Sequence, residues 1–380
     1  MRDAPPVDRL LLGSGPSPVP QRVLEAMARP TVGHLDPAFA TLMEEVASLL
    51  RATFRTSNRA TLPISGTGSA GMDAMVANFV EPGDRVVCGV CGLFGERMAD
   101  ELARSGAEVV RVEAEWGRAI APEDLIAALD GGADALFVVH GETSTGVCQP
   151  LDGLGEACRS VDALLLVDCV TSLAGQPLDL DASLVDAAFS GTQKCLNCPP
   201  GLAPFTAGDR ALAKLEGRSS AVRSWYFDLS LVLGYWDGDG GRAYHHTAPI
   251  NMVYALAEAL EIVDEEGLEA RWERHAHAHE RLRRALEALG CRRLARDGEQ
   301  LHPLMAVTPP EGTDVDGVRK RLLSEHGIEI AAGAGPLAGR IWRIGVMGDG
   351  AELEPQERLV RALAEELGAD PEEPLAALAT

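Results

Sequence analysis

The sequence predicts an α/β protein, with a mostly parallel sheet in a large domain and a smaller C-terminal α+β domain. Three observations lead there. From position 21 to 206 short apolar runs alternate with helix-periodic stretches, the pattern of strands joined by crossover helices. Past Pro249 the texture changes to long helical patterns rich in Ala, Leu, Glu and Arg. And 380 residues, 46% of them hydrophobic, suffice for one large and one small domain at roughly 100–200 residues each.

In chain order, residues 1–20 read as an N-terminal arm. It opens Met1-Arg2-Asp3, and its apolar stretch 10–12 is far shorter than a signal-peptide core. The large domain is expected over 21–265. A glycine turn at 64–71 opens a helix, because Met72, Met75, Val76 and Phe79 keep the i, i+3, i+4, i+7 spacing of one apolar face. Strands are expected at 85–90, 108–112, 135–140, 163–167 and 187–190, with helices at 95–105, 122–129 and 151–160 between them. Such sheets bind ligands at the carboxyl ends of their strands. Long helices follow at 250–266 and 268–289. The small domain, 266–380, continues through a helix at 315–326, a strand at 329–331, a glycine-rich turn at 333–339, a strand at 341–346 and a helix at 356–367. The tail from 369 is expected to fray.

A net charge of −23 argues against a nucleic-acid surface, which needs lysine and arginine against phosphates. No stretch approaches the roughly 20 apolar residues of a membrane helix, and a cytoplasmic protein is expected. Eight cysteines in 380 residues are too sparse for a disulfide framework. Cys88/Cys91 and Cys195/Cys198 have C-x-x-C spacing but stand about a hundred residues apart, against about 15–20 in zinc ribbons. They read as reduced packing residues. His275 and His279 share i, i+4 spacing with His277 between them, and read as a solvated helix face; His245 and His246, being adjacent, should diverge. No metal is assigned.

Only three lysines occur, Lys194, Lys214 and Lys320. None stands in a Gly-Lys-Ser/Thr or Val-Ala-Ile-Lys setting, which excludes P-loop and protein-kinase chemistry. Lys214 and Lys320 lie in polar helical contexts and read as solvated. Lys194 follows an apolar strand in the small-residue loop Ser190-Gly191-Thr192-Gln193-Lys194-Cys195. It is either an ordinary loop lysine or a partly desolvated amine placed for Schiff-base chemistry. Asp168 ends the run Leu164-Leu165-Leu166-Val167, as a cap, a metal ligand or the partner of a pyridinium nitrogen. Twenty-five residues separate the two, about one crossover helix and one strand, so both can reach one rim. Together they meet two requirements of pyridoxal 5'-phosphate, a lysine for the carbonyl and a carboxylate for the ring nitrogen. Ser65-Gly66-Thr67-Gly68-Ser69 at a helix start is a tight turn or, as the third requirement, a phosphate cradle.

With these residues in place, the sequence resembles the class V pyridoxal phosphate-dependent aminotransferases, specifically the alanine–glyoxylate/serine–pyruvate group. The likeness runs through Gly13-Ser14-Gly15-Pro16, Gly33-His34-Leu35-Asp36-Pro37, Glu81-Pro82-Gly83-Asp84, Gly92-Leu93-Phe94-Gly95-Glu96-Arg97, His140-Gly141-Glu142-Thr143-Ser144, Tyr244-His245-His246-Thr247 and Trp342-Arg343-Ile344-Gly345. It implies the fold type I architecture of pyridoxal phosphate transferases. It also implies that Lys194 carries the cofactor as a Schiff base, Asp168 pairs with its ring nitrogen and Phe94 stacks on the ring. Thr67, Gly68, Ser69 and Gln193 would hold the phosphate, with Tyr244 and Thr247 reaching it from the other subunit of a homodimer. Thr143 matches a position whose hydroxyl approaches the cofactor, and Arg343 the residue that takes the substrate carboxylate, a task suited to a planar guanidinium.

The sequence departs from relatives at several positions. Ser69 stands where many have histidine, Phe94 where some have tryptophan and Thr143 where serine is common, while Cys169 and Cys195 replace small Ser or Ala. The resemblance implies amino transfer from alanine or serine to glyoxylate or pyruvate. Within the same family an (S)-ureidoglycine–glyoxylate aminotransferase would use the same residues, with Asn251 either contacting the ureido group or capping the next helix. From another class, a lyase such as a cysteine desulfurase shares the lysine but typically stacks histidine on the ring and needs a loop cysteine.

Overall fold

The structure is a computed structural model that describes residues 9–236 and 242–379. Met1-Arg2-Asp3, the start of the arm, lies outside them, as does the last residue of the tail. A two-residue strand β1 (Leu10–Leu11) is followed by α1 (Gln21–Met27), α2 (Pro37–Phe54), β2 (Ala60–Ser65), α3 (Gly68–Phe79), β3 (Arg85–Val90) and α4 (Leu93–Ser105). Next come β4 (Glu108–Glu113), α5 (Pro122–Leu129), β5 (Ala135–Val139) and the small hairpin of β6 (Gly141–Glu142) and β7 (Val147–Cys148). The chain continues with α6 (Leu154–Ser160), β8 (Leu164–Asp168), β9 (Ala187–Phe189), β10 (Leu202–Ala207), α7 (Asp209–Glu216) and α8 (Leu229–Trp236).

Seven of these strands form one sheet in the order β2-β10-β9-β8-β5-β3-β4. All neighbours are parallel except β10, which runs antiparallel to both β2 and β9. Every residue of the central β5 and β8 is buried, as expected of strands with helices on both faces. The edge strand β4 is instead charged, with Glu108, Arg111 and Glu113 facing solvent, which blunts further strand pairing. Helix α3 packs so closely that a Cβ on Gly71 would lie 3.0 Å from Phe189. That approach sets the start of α3 beside the ends of β8 and β9.

The rest of the chain comprises α9 (Ile250–Glu266), α10 (Leu268–Ala288), β11 (Arg292–Arg293), β12 (Leu304–Thr308), α11 (Val315–Glu325), β13 (Ile328–Glu329), β14 (Ala331–Ala332), β15 (Trp342–Gly345), α12 (Leu353–Leu367) and α13 (Glu372–Ala379). Strands β11, β12, β15 and β14 make a second, antiparallel sheet. It has a core of its own, with Leu282, Leu286, Trp342 and Leu363, whereas Val253, Leu256 and Leu260 of α9 belong to the core of the main sheet. The arm joins the smaller unit through β1, which pairs with β13, and through Leu12 in its core.

Three expectations are corrected. The tail does not fray but folds as α13 against α10 and α12, with Leu378 buried; Asp370 accepts from the Glu372 N–H at its start. His275 and His279 are buried rather than solvated, because they share one stripe of α10 with Leu282 and Leu286; only His277 faces solvent. The strand expected at 329–331 divides at Ile330, its halves joining different sheets. No helix among the described residues is long and apolar enough to cross a membrane.

Candidate active site

At the carboxyl ends of β8 and β9 lies a cleft of about 540 Å³, lined by Gly68, Ser69, Met72, Phe94, Arg97, Asp168, Val170, Phe189, Gln193 and Lys194. A larger groove of about 970 Å³ opens beside His140 and Trp272, but holds neither a lysine nor a buried carboxylate. Lys194 is only 7% exposed. The N-terminal arm grips its loop: Ser17 Oγ donates to the Lys194 carbonyl at 2.6 Å, the Ser17 N–H to the Gln193 carbonyl, and Lys194 Nζ donates to the Ser14 carbonyl. A side chain on Gly15, at φ 102°, would sit 2.9 Å from Lys194 Cδ, so glycine is required where the arm crosses the amine. Burial brings the Lys194 amine down to about 8, aided by the charge of Arg343 and opposed by Asp168.

Asp168 ends β8 fully buried, and one oxygen accepts the Val170 N–H at 2.8 Å. Burial lifts its carboxyl to about 7, with the Val170 hydrogen bond pulling the other way. An adjoining cation such as a protonated ring nitrogen would restore its charge.

Helix α3 presents its first amides to the same cleft. Thr67 precedes it as the N-cap residue, yet its side chain makes no capping bond, leaving the hydroxyl for a ligand. Gly68 has Val170 within 3.3 Å of any Cβ, and a Cβ on Gly191 would meet the Gln193 amide at 2.8 Å. Gln193 Oε1 is buried with no partner, an unsatisfied polar atom that calls for a ligand. Turned over, the same amide offers Nε2 to an anion.

Phe94 and Arg97 stand on the first turns of α4, with the guanidinium 4.9 Å from the ring centroid and Nη1 3.5 Å from Ser69 Oγ. Thr143 follows β6 and is buried; its carbonyl accepts from Arg343 Nη1 at 3.3 Å. Arg343 also donates Nε to the Ala332 carbonyl at 2.7 Å, so two backbone carbonyls hold the guanidinium on β15. Tyr244 and Thr247 are exposed and line no part of this cleft.

The structure thus brings Lys194, Asp168, Gly68, Ser69, Phe94 and Gln193 into one cleft, with Thr67, Thr143 and Arg343 alongside, and leaves Tyr244 and Thr247 on the surface. Two further corrections concern side chains. His245 and His246 converge, their Nδ1 atoms 2.8 Å apart, since they lie in neither a helix nor a strand that would point neighbouring side chains apart. Asn251 neither caps its helix nor reaches the cleft. It donates to the Met27 and Arg29 carbonyls and accepts from Thr31, which uses up its amide. Sequence reasoning overlooked Arg97, whose signal was its place one turn after Phe94, and Glu142, whose signal was a carboxylate among small buried residues.

A buried, partly discharged lysine facing a buried carboxylate, beside an anion cradle at a helix start, defines an enzyme of amine–carbonyl exchange. Comparisons with known proteins agree. The model of the family Aminotransferase class-V matches residues 9–339. An alanine–glyoxylate aminotransferase of Callithrix jacchus is 39% identical over 94% of this chain and 87% of its own. Among solved structures, an alanine–glyoxylate aminotransferase from Nostoc sp. superposes with a TM-score of 0.93 and 47% identity, covering 96% of this chain and 97% of that one. The ureidoglycine–glyoxylate aminotransferase of Bacillus subtilis gives 0.97 and 40%, over 100% and 99%. The chain belongs to the class-V aminotransferase family. It is a transaminase of fold type I, and its cofactor is pyridoxal phosphate, which the orphaned Gln193 amide, the free Thr67 hydroxyl and the Gly68 and Gly191 clearances fit.

Proposed function

We propose that the enzyme moves the amino group of a small amino acid, alanine or serine, to glyoxylate or pyruvate. The observation that carries this reading is the pairing of Lys194 and Asp168 across one cleft with the unpartnered Gln193 amide, joined to the glyoxylate named in both groups of close relatives. When bound, pyridoxal phosphate would supply an aldehyde carbon to receive the amino group and a ring to accept the electron pair of the substrate Cα–H bond. Lys194 Nζ, whose proton affinity burial lowers to about 8, is the base that takes the Cα proton and the acid that would deliver it to the carbon that carried the aldehyde, leaving the amino group there. Asp168 holds the ring nitrogen's proton. Thr67, Gly68, Ser69 and Gln193 bind the phosphate, Phe94 stacks on the ring with Thr143 beside it, and Arg343 holds the substrate carboxylate through its fork.

The same reading makes the active unit a homodimer in the cytoplasm, with Tyr244 and Thr247 reaching the neighbour's phosphate. Their exposure in the single chain supports it, and eight free cysteines suit a reducing compartment. An arm over 1–20, a large domain over 21–265 and a small domain over 266–380 accord with the two cores. The Bacillus subtilis relative keeps ureidoglycine open as donor, although Asn251, the residue that suggested it, is committed elsewhere. A desulfurase lacks its thiol here, because seven cysteines are buried and Cys148 faces another groove.

The test adds alanine, serine and ureidoglycine singly to the holoenzyme, follows conversion of the cofactor to pyridoxamine phosphate by absorbance, and then restores it with each oxo acid. Alanine or serine with glyoxylate or pyruvate should turn over, and Lys194→Ala should not. Conversion by ureidoglycine alone would reassign the donor, and normal turnover in Lys194→Ala would refute the assignment.

A further inference from the structure

Glu142 is fully buried, and no role falls to it in the chemistry above. Both its oxygens are taken by donors from two separate segments. Oε2 accepts the N–H groups of Phe94 at 3.0 Å and Gly95 at 3.3 Å, and Oε1 accepts the N–H of Ser144 at 3.0 Å and its hydroxyl at 2.6 Å. Ser144 Oγ in turn accepts the Leu93 N–H at 2.9 Å. Four donors and no acceptor surround the group, a demand that only an ionised carboxylate meets in full. An amide would turn an NH₂ against two of them.

The fold makes room for this arrangement. Gly92, the N-cap residue of α4, offers no side chain to cap its own helix. A Cβ there would lie 2.4 Å from Ser144 Oγ and 2.5 Å from the Glu142 carboxyl. The cap therefore comes from β6, across the cleft's rim. A negative charge at a helix N-terminus is also favoured by the helix dipole. The carboxylate ties the turn bearing Phe94 to the turn bearing Thr143, and the Thr143 carbonyl receives Arg343.

We propose that Glu142 is the positioning residue of the cofactor ring's seat, clamping the Phe94 turn of α4 to the Thr143 turn as one unit. This rests on the reading that the cleft holds pyridoxal phosphate. Burial raises the Glu142 carboxyl's own proton affinity while the Ser144, Gly95 and Phe94 hydrogen bonds oppose it; in the ionised form that these donors favour, its charge raises the proton affinity of both Asp168 and Lys194.

The test strips the holoenzyme of cofactor by dialysis and retitrates it with pyridoxal phosphate, for wild type, Glu142→Gln, Phe94→Ala and the double variant. A wild-type chain that takes up none refutes the cleft as cofactor site, a failure distinct from that of the clamp. Glu142→Gln should raise the Kd about tenfold or more. Because it acts through Phe94, it should add little in the Phe94→Ala background. It should also move the Lys194 labelling midpoint below the wild-type value of about 8. An unchanged Kd, fully additive losses or an unmoved midpoint would overturn the inference. Should Glu142→Gln fail to fold, Ser144→Ala removes two links of the clamp and carries the same cycle with Phe94→Ala. Non-additive loss supports the clamp, and additive or absent loss refutes it.

Discussion

At the scale of single residues, the three lysines differ because their surroundings do. Lys320 is exposed. Lys214 lies between Asp84 at 3.0 Å and Asp134 at 3.4 Å, whose hydrogen bonds and charges outweigh its burial and raise its proton affinity. Lys194 has burial and Arg343 against its charge, and falls to about 8. An ordinary lysine stays protonated to roughly pH 10.4, so near neutrality Lys194 has an appreciable free-amine fraction. The apoenzyme mixed with pyridoxal phosphate, reduced with borohydride and digested should therefore yield one labelled lysine, Lys194, apart from any label on the α-amino group, whose ordinary value also lies at about 8. The Lys194 labelling rate should climb with pH through a midpoint near 8, because the free amine is the nucleophile. A midpoint near that of an exposed lysine, read by mass spectrometry, would contradict the buried geometry.

At the scale of elements, the last helix and the histidine pair make separate predictions. Helix α13 buries Leu378 against the α10 core, a side chain worth about 1.5–3 kcal/mol. A chain stopped at Ala369 should lose roughly 2–4 °C in thermal midpoint, measured by calorimetry. The pair His245–His246 links the Trp225 carbonyl to Ser65, through contacts of 3.3, 2.8 and 2.7 Å. Burial and the neighbouring His245 lower His246 to about 4. Its folded value lies below the unfolded one near 6.5, so its contribution is complete above pH 6.5 and is lost as pH falls toward 4. His246→Gln, which keeps a polar partner for Ser65 but cannot titrate, should show a shallower fall in thermal midpoint across that window. Strands such as β3 and helices such as α5 and α9 were legible with their bounds because apolar runs and 3.6-residue periodicity are local signals. Helix α13 was not, since Pro374 looks like a breaker although it falls in the first turn, where a missing N–H costs little. Strand β10 was hidden by Pro204 and by its reversed direction. In the site, Lys194, Asp168 and the glycine turn announce themselves by local chemistry. Glu142 does not, because its partners in α4 begin 48 residues away, and outside the site the binding of Asn251 to carbonyls more than 200 residues away was equally hidden, a convergence only the folded chain makes.

At the scale of the whole molecule, one side of the chain looks unfinished. Trp225 and Tyr244 are each 62% exposed and Leu35 52%. Trp225 stacks on His245 with centroids 4.4 Å apart, and Tyr244 contacts His34 at 5.1 Å. Large exposed aromatics gathered on one face suit the contact surface of the proposed homodimer. With a net charge of −23 two copies repel at long range, so contact must be won by such apolar groups. This surface is continuous with the cradle, because His246 bonds Ser65 one residue before Gly66. A second copy docked there by two-fold symmetry would bring its own Tyr244 and Thr247 toward this chain's phosphate cradle, and receive the same in return. That reciprocity has a sharp consequence. A Lys194→Ala chain has no working amine but intact Tyr244 and Thr247, whereas a Tyr244→Phe/Thr247→Ala chain has the reverse. Each alone should be impaired, the first inactive and the second weak in cofactor affinity. Unfolded together and refolded as a random mixture, half the dimers are mixed, and each mixed dimer rebuilds one complete site of its two. High-affinity transamination at limiting cofactor should then recover to about a quarter of the wild-type level. If Tyr244 and Thr247 served their own chain, every Lys194 in the mixture would still face a defective cradle, and mixing would restore nothing.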